Sequence, residues 1–218
     1  MQISWHGLSC FEILAKSEKG EVNLVIDPFD NSVGLRLPRN LAGDIVAVTH
    51  NASDANHVGA VAGNPLLINL PGEYESKGIF IYSIALSPAP SSEGKVSAAD
   101  NKMFRIEAEK MHVVHLGALN RELTPEELQL MHNVDILLVP VGGGNVLSPK
   151  KAVEVIEQVE PRVVIPMTYA LPDLKEQLGT LEAFCKEMGA CRKEELPKFK
   201  IVRKDLPEED MLVVTLTP

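Results

Sequence analysis

The stretch Asp44-Ile45-Val46-Ala47-Val48-Thr49-His50-Asn51-Ala52-Ser53-Asp54-Ala55-Asn56-His57 decides how the chain is read. Ile45 to Val48 is a short apolar run without polar alternation, the pattern of a strand covered on both faces. It passes directly into Thr49-His50 and a polar loop. Polar side chains delivered at the end of a buried strand are where α/β proteins place their chemistry.

Upstream of this stretch the chain reads as β-structure. Cys10 to Leu14 and Glu21 to Ile26 flank Lys19-Gly20 as a hairpin, and Asp27-Pro28-Phe29-Asp30 ends the second strand. Downstream, Leu66 to Ile68 and Ile79 to Ile84 are strands, and residues 87 to 100 read as a loop. Lys102 to Glu107 alternates as a half-exposed strand and pairs with Met111 to His115. The second half then alternates helix and strand. Thr124-Pro125-Glu126-Glu127 carries a cap, a first-turn proline and a glutamate placed to bond back. Ser148-Pro149 opens a helix with Ala152, Val155, Ile156 and Val159 on one face. The strands Asp135 to Val139 and Arg162 to Ile165 flank it, so part of the sheet is parallel. Asp173 is expected to open a further helix through Leu174, Leu178, Leu181, Cys185 and Met188. Two strands are expected near Phe199–Val202 and Met211–Leu216. With no repeat and no linker, the 218 residues read as one domain of two sheets faced by helices.

The balance of 21 basic and 30 acidic residues gives 21 − 30 = −9, with a pI near 5.2. This argues against nucleic acid or anionic membrane as a partner, since phosphate binding needs a basic surface. No apolar run reaches the roughly 18 residues of a membrane span, and Met1 to His6 lack the basic start of a secretory signal. Cys10, Cys185 and Cys191 are odd in number and show no Cys-x-x-Cys spacing. The expectation is therefore no disulfide framework, no structural zinc cluster and a cytoplasmic setting.

Ile3-Ser4-Trp5-His6-Gly7, Val25-Ile26-Asp27-Pro28-Phe29, Thr49-His50, Pro71-Gly72-Glu73-Tyr74-Glu75, His115-Leu116-Gly117, Pro140-Val141-Gly142-Gly143 and Val164-Ile165-Pro166-Met167 occur in this order. Together they resemble the metallo-β-lactamase superfamily, in the branch of small metal-dependent hydrolases that includes the L-ascorbate-6-phosphate lactonases. The resemblance implies an α/β fold, a four-layer αββα sandwich with its active site at one edge of the sheets. It also implies a dinuclear metal centre and assembly as a homo-oligomer.

Of the metal ligands in the family motif Thr-His-x-His-x-Asp-His, only His50 and Asp54 survive. By the resemblance, Ala52 and Ala55 occupy the second and third histidine positions. Ala118 stands at the bridging aspartate and Thr168 at the last histidine. Residues 86 to 100 contain no histidine where another ligand is implied. Alanine offers no electron pair, and zinc sites need three or more protein ligands. The principal expectation is a protein without bound metal that binds an unknown small molecule or a protein partner, or assembles.

Two rescues stay open. His57 and His115 could join His50 and Asp54 in a rebuilt mononuclear site for zinc or another divalent metal. Alternatively, His50 and Asp54 could act without metal as a base and its orienting carboxylate, hydrolysing an ester, lactone or phosphodiester. Ser53 and Thr168 offer hydroxyls and Cys10 a thiol, none in the setting of an activated nucleophile. Gly142-Gly143-Gly144 reads as a tight turn rather than an anion cradle. Asn120 and Arg121 are candidates for ligand binding, Arg121 as a source of positive charge. His6, His112 and His132 read as packing or surface residues.

Overall fold

A computed structural model describes residues 1–87, 101–189, 191 and 195–218. The loop expected over 87 to 100 lies, from residue 88, outside the described residues, as does the stretch where a further histidine ligand is implied. The strands of the first half are β1 (Gln2–Gly7), β2 (Cys10–Ser17), β3 (Gly20–Ile26), β4 (Ile45–Ala47), β5 (Leu66–Ile68), β6 (Gly72–Ser76), β7 (Ile79–Ala85), β8 (Lys102–Ala108) and β9 (Met111–His115). There follow α1 (Pro125–Gln129), β10 (Ile136–Pro140), α2 (Pro149–Val159), β11 (Val163–Met167) and α3 (Leu181–Met188). Short strands β12 (Glu195–Leu196), β13 (Phe199–Lys200), β14 (Leu212–Val213) and β15 (Thr215–Leu216) come last.

Two mixed sheets result. The first runs β13-β1-β2-β3-β4-β5 and the second β14-β11-β10-β9-β8-β7-β6. In the first, β3, β4 and β5 are parallel, with Leu24 opposite Ile45 and Ile45 opposite Leu66. In the second, β9, β10, β11 and β14 are parallel, while β6 to β9 form an antiparallel meander. Trp5, Phe11 and Ile13 from the first sheet share one core with Phe104, Ile106 and Val113 from the second. The alternation of strand side chains explains the layering. Leu24, Ile26, Ile45 and Ala47 face that shared core, whereas Val25 and Val46 face outward.

The helical layers are unequal. On the second sheet, α2 buries Ala152, Val155 and Ile156, and α3 buries Phe184. Over Val25 and Val46 the cover comes from Leu37, Leu41, Val58 and Val61, carried on loops and the 3-10 turn Val58–Ala60. The α1 start forms as its sequence predicts. Thr124 accepts from Glu127 N, and the Glu127 carboxylate accepts from Thr124 N.

Three expectations need correction. No helix opens at Asp173, which follows Pro172 and has φ +66°. Leu174 and Leu178 instead pack irregularly against Leu8, Cys10 and Phe29, and α3 starts only after its cap Thr180. The Lys102–Glu107 strand is mostly buried rather than half-exposed, because it lies inside the second sheet. Cys185 and Cys191 are joined in a disulfide, with their Cα atoms 5.3 Å apart. Gly189 ends α3 in a left-handed conformation (φ +74°) and turns the chain so that Cys191 returns to the helix. Among the described residues, no helix is long and apolar enough to cross a membrane.

Candidate functional site

Parallel strands deliver their carboxyl ends to one edge of the molecule, where open α/β sheets bind ligands. Asp27 follows β3, Thr49 and His50 lie just beyond β4, Ala118 beyond β9 and Thr168 beyond β11. Antiparallel β8 begins at the same edge with Asn101 before it. Between them lies a cleft of about 460 Å³.

Asp27 is fully buried and anchors the site. Its Oδ1 accepts from Thr49 N at 2.7 Å and its Oδ2 from the Thr49 hydroxyl at 2.6 Å. A carboxylate can only accept, so the hydroxyl proton of Thr49 is committed to Asp27. Thr49 Oγ1 must then accept from Nδ1–H of His50, 2.8 Å away. The other ring nitrogen, Nε2, faces Asp54 Oδ1 at 3.1 Å. Both ring nitrogens thus point at acceptors, which favours the imidazolium. Burial opposes that charge, but the Asp54 hydrogen bond and the charges of Asp27 and Asp54 outweigh it, and the His50 pKa is raised. Asp54 shows the complement. Desolvation raises its pKa, the bond to His50 and its charge lower it, and the net shift is downward. The pair is an ion pair at the wall of the cleft.

His115 is placed differently. It is fully buried, and its Nε2 lies 2.9 Å from the Ser9 carbonyl while Gly117 N donates to its Nδ1 at 3.1 Å. A carbonyl only accepts, so Nε2 carries the proton and the ring is neutral. Burial lowers its pKa in agreement. His57 turns away toward Asp30, with Nδ1 to Oδ2 at 3.1 Å, on an exposed part of the loop. His50, Asp54, His57 and His115 therefore do not form the rebuilt metal site. Among the described residues no group of three His, Cys, Asp or Glu side chains is placed to hold a metal.

The metal implied by the fold family fails a test on the donor set. Ala52, Ala118 and Thr168, where the resemblance implies metal ligands, line the cleft, and Ala55, at another such position, is fully buried. The two histidines that remain near it have both nitrogens engaged by protein groups, leaving no lone pair for a cation.

Other expectations sort as follows. Asn120 lines the cleft. Arg121 does not, because its guanidinium grips Glu127 through two 2.7 Å contacts and also donates to the Ser87 and Glu122 carbonyls. Ser53 lines the cleft and is exposed. Cys10 is sealed in the interior. Burial first, then the Asp27 and Glu12 charges, push its thiol pKa well up, so it is no nucleophile. Gly142 to Gly144 form a tight turn. A Cβ at Gly142 would come within 2.3 Å of the Thr168 carbonyl, and Gly143 N is taken by the Leu147 carbonyl. His6 faces Glu12 across the β1–β2 pair. Residues the sequence did not single out are Asn101, Asn145, Lys175 and Glu176 in the cleft and Asp27 behind it. Of these only Asp27 left a signal, an acidic residue closing an apolar strand.

Residues 2–168 match the β-lactamase superfamily domain. The chain is 28% identical over 198 residues to a UPF0173 metal-dependent hydrolase of Thermoplasma acidophilum, covering 80% of this chain and 85% of that one. It is 24% identical over 218 residues to another from Methanopyrus kandleri, with 87% and 93% covered. A crystal structure from Thermotoga maritima, provisionally assigned as a Zn-dependent hydrolase of the metallo-β-lactamase superfamily, is similar over the full length of both chains, with TM-score 0.76 and 30% identity.

Proposed function

The chain belongs to the β-lactamase superfamily, and on that premise we propose that it hydrolyses an ester, lactone or phosphodiester of a small molecule through a metal-independent site at His50 and Asp54. The relatives' shared description as metal-dependent hydrolases supports the reaction class. The observation that carries the reading is the His50–Asp54 pair, 3.1 Å apart and opening on the cleft.

The chemistry follows from the proton positions. The Asp54 carboxylate takes a proton from a water held in the cleft, and the water oxygen attacks the acyl carbon or phosphorus. The bond to the leaving oxygen breaks, and that oxygen takes the Nε2 proton of the His50 imidazolium. Transfer of the proton from Asp54 to His50 restores both groups. Asp27 and Thr49 hold the ring throughout. The test is turnover of aryl acetates, γ-lactones and bis(p-nitrophenyl) phosphate with and without chelator. The expected result is chelator-resistant hydrolysis that falls by about 10² or more in both His50→Ala and Asp54→Ala. Turnover abolished by chelator, or unchanged in both variants, overturns the proposal.

A second reading is a non-catalytic protein that binds a ligand or assembles, and the alanines at former ligand positions support it. It is met by saturable ligand binding without turnover. The same reading takes the chain as one folded unit over residues 1–218, a cytoplasmic homo-oligomer, which fractionation and light scattering test.

A further inference from the structure

Thr168 carries more information than its place in a degenerate motif. It lines the cleft, is only 7% exposed, and its Oγ1 has no hydrogen-bond partner. Buried hydroxyls are almost always paired, so an orphan asks for an explanation. The backbone at Thr168 is also left-handed, with φ +52°, which a β-branched residue rarely adopts. Two contacts hold it there. Thr168 N donates to the Leu8 carbonyl at 3.1 Å, and the Thr168 carbonyl sits where only a glycine, Gly142, leaves room. Strain maintained by its surroundings, combined with an unmet polar group, is characteristic of a ligand clamp.

The rest of the lining says which ligand. Asn101, Asn120 and Asn145 supply amides, and Ser53 a hydroxyl. Val33, Val146 and Leu174 supply apolar wall. The charges cancel within the protein. His50 is matched by Asp54, and Lys175 on the rim is followed by Glu176, whose Oε1 accepts from Asn145. A dinuclear metal centre would draw anionic groups, whereas the described lining of this cleft, with His50 and Lys175 against Asp54 and Glu176, carries no net positive charge to draw an anion. Amide, hydroxyl and carboxylate groups against short apolar walls suit a neutral compound with several hydroxyls. The volume of about 460 Å³ falls within the roughly 300–1,000 Å³ of small-molecule sites.

We propose that the cleft binds a neutral, hydroxyl-rich small molecule of the sugar or polyol class, with one ligand hydroxyl satisfying Thr168 Oγ1. The inference rests on the cleft of the functional reading above but not on turnover there. The test is protein-observed NMR of the full chain titrated with glucose and myo-inositol, and in parallel with glucose 6-phosphate and inorganic phosphate. Saturable shifts at the Asn101, Asn120 and Asn145 side-chain amides with a neutral probe, at least tenfold weaker with the phosphorylated ones, are expected. Thr168→Val should weaken neutral-probe binding by at least fivefold while leaving the melting temperature unchanged or higher, because the lost hydroxyl bonds nothing in the fold. No saturable shift with either neutral probe, tighter binding of phosphate, or unchanged affinity in Thr168→Val each overturns the proposal. Neutral-probe binding with no turnover of the aryl acetate, γ-lactone and phosphodiester substrates would overturn only the catalytic reading, and turnover of those substrates with tighter binding of glucose 6-phosphate than of glucose only this one.

Discussion

His115 Nε2 lies 2.9 Å from the carbonyl oxygen of Ser9, a residue 106 positions away in the turn that joins β1 and β2 of the other sheet. Since the Ser9 carbonyl can only accept and Gly117 N already donates to Nδ1, the ring bridges the two sheets' strands as a neutral group. Burial lowers its pKa below the ordinary histidine value. Below about pH 6.5 the unfolded chain takes up a proton at this residue that the folded chain refuses, so the stability it allows is present at neutral pH and lost as pH falls. His50 has a raised pKa and acts in the opposite sense, its contribution being present in acid and lost as pH rises through its folded value. The difference between the native protein and His115→Gln isolates the first effect. We expect denaturant-derived stability to fall less between pH 7 and pH 5 in the variant, while at pH 7 it is lower by about 1–3 kcal/mol for the broken bridge. Parallel pH curves would sink this assignment.

Arg121 lies against Glu127 with side chains only 14% and 5% exposed, so its removal leaves a carboxylate desolvated and unpaired. The effect should exceed that of a surface pair, at about 2 kcal/mol for Arg121→Ala, or roughly 4–8 °C of melting temperature. Desolvation raises the Glu127 pKa, but the Arg121 bond and the Thr124 and Ser87 amides lower it overall. A group depressed in this way stabilises above its unfolded pKa and loses that contribution as pH falls through the folded one. The Arg121→Ala deficit should therefore shrink in acid, which thermal melts from pH 7 to pH 3 would read.

How much of this was legible in sequence depends on the reach of each signal. β4 was readable because Ile45 to Val48 has no polar alternation, and α1 because Thr124, Pro125 and Glu127 are all local. The helix expected from Asp173 failed since Leu174 and Leu178 have helical spacing but are claimed by distant partners. Lys175 N bonds the Val33 carbonyl and Gly179 N bonds Gly142 O, contacts that no window along the chain reveals. The His50–Asp54 pair was legible because the two lie only four positions apart. Asn101 and Asn145 were not, since only the ordering of strands brings them to the same edge.

The disulfide offers a direct count. Cys185 and Cys191 enclose a loop of only a few residues, for which the chain-entropy relation gives about 2 kcal/mol. Thiol titration of the denatured, unreduced protein should find Cys10 alone, and reduction should release the other two. The reductant should also lower the melting temperature by several degrees. Three thiols without reduction would remove the cross-link from the account.

Asp27 holds Thr49 with both carboxylate oxygens, and Thr49 in turn holds His50. Asp27→Asn keeps the volume but replaces one acceptor with a donor, so Thr49 loses either its amide or its hydroxyl partner. A buried, unpaired group of this kind costs about 1–3 kcal/mol. His50 then loses the contact that fixes its ring orientation. We expect hydrolysis to fall by at least tenfold in kcat with little change in KM, because the cleft walls stay in place. A change confined to KM would mean that Asp27 shapes binding rather than orienting the ring.

Restoring ligands tests the coordination argument from the other side. Zinc needs three or more donors with free lone pairs, and the native cleft presents a histidine and a carboxylate already committed to each other. Adding zinc or chelator to the native protein should therefore leave its melting temperature within about 1 °C, and metal analysis should find under a tenth of an equivalent. Ala52, Ala118 and Thr168 all face the same cleft as His50 and Asp54. The combination Ala52→His, Ala118→Asp and Thr168→His adds three donors there, and a cation competing for His50 Nε2 would displace Asp54 from it. We expect the triple variant to bind about one zinc per chain and to gain several degrees of stability on loading, as binding to the folded state alone requires. A native protein purified with a full equivalent of metal, lost on His50→Ala, would mean that the His50–Asp54 pair opens to accept a cation, and the metal-independent mechanism would fall with it.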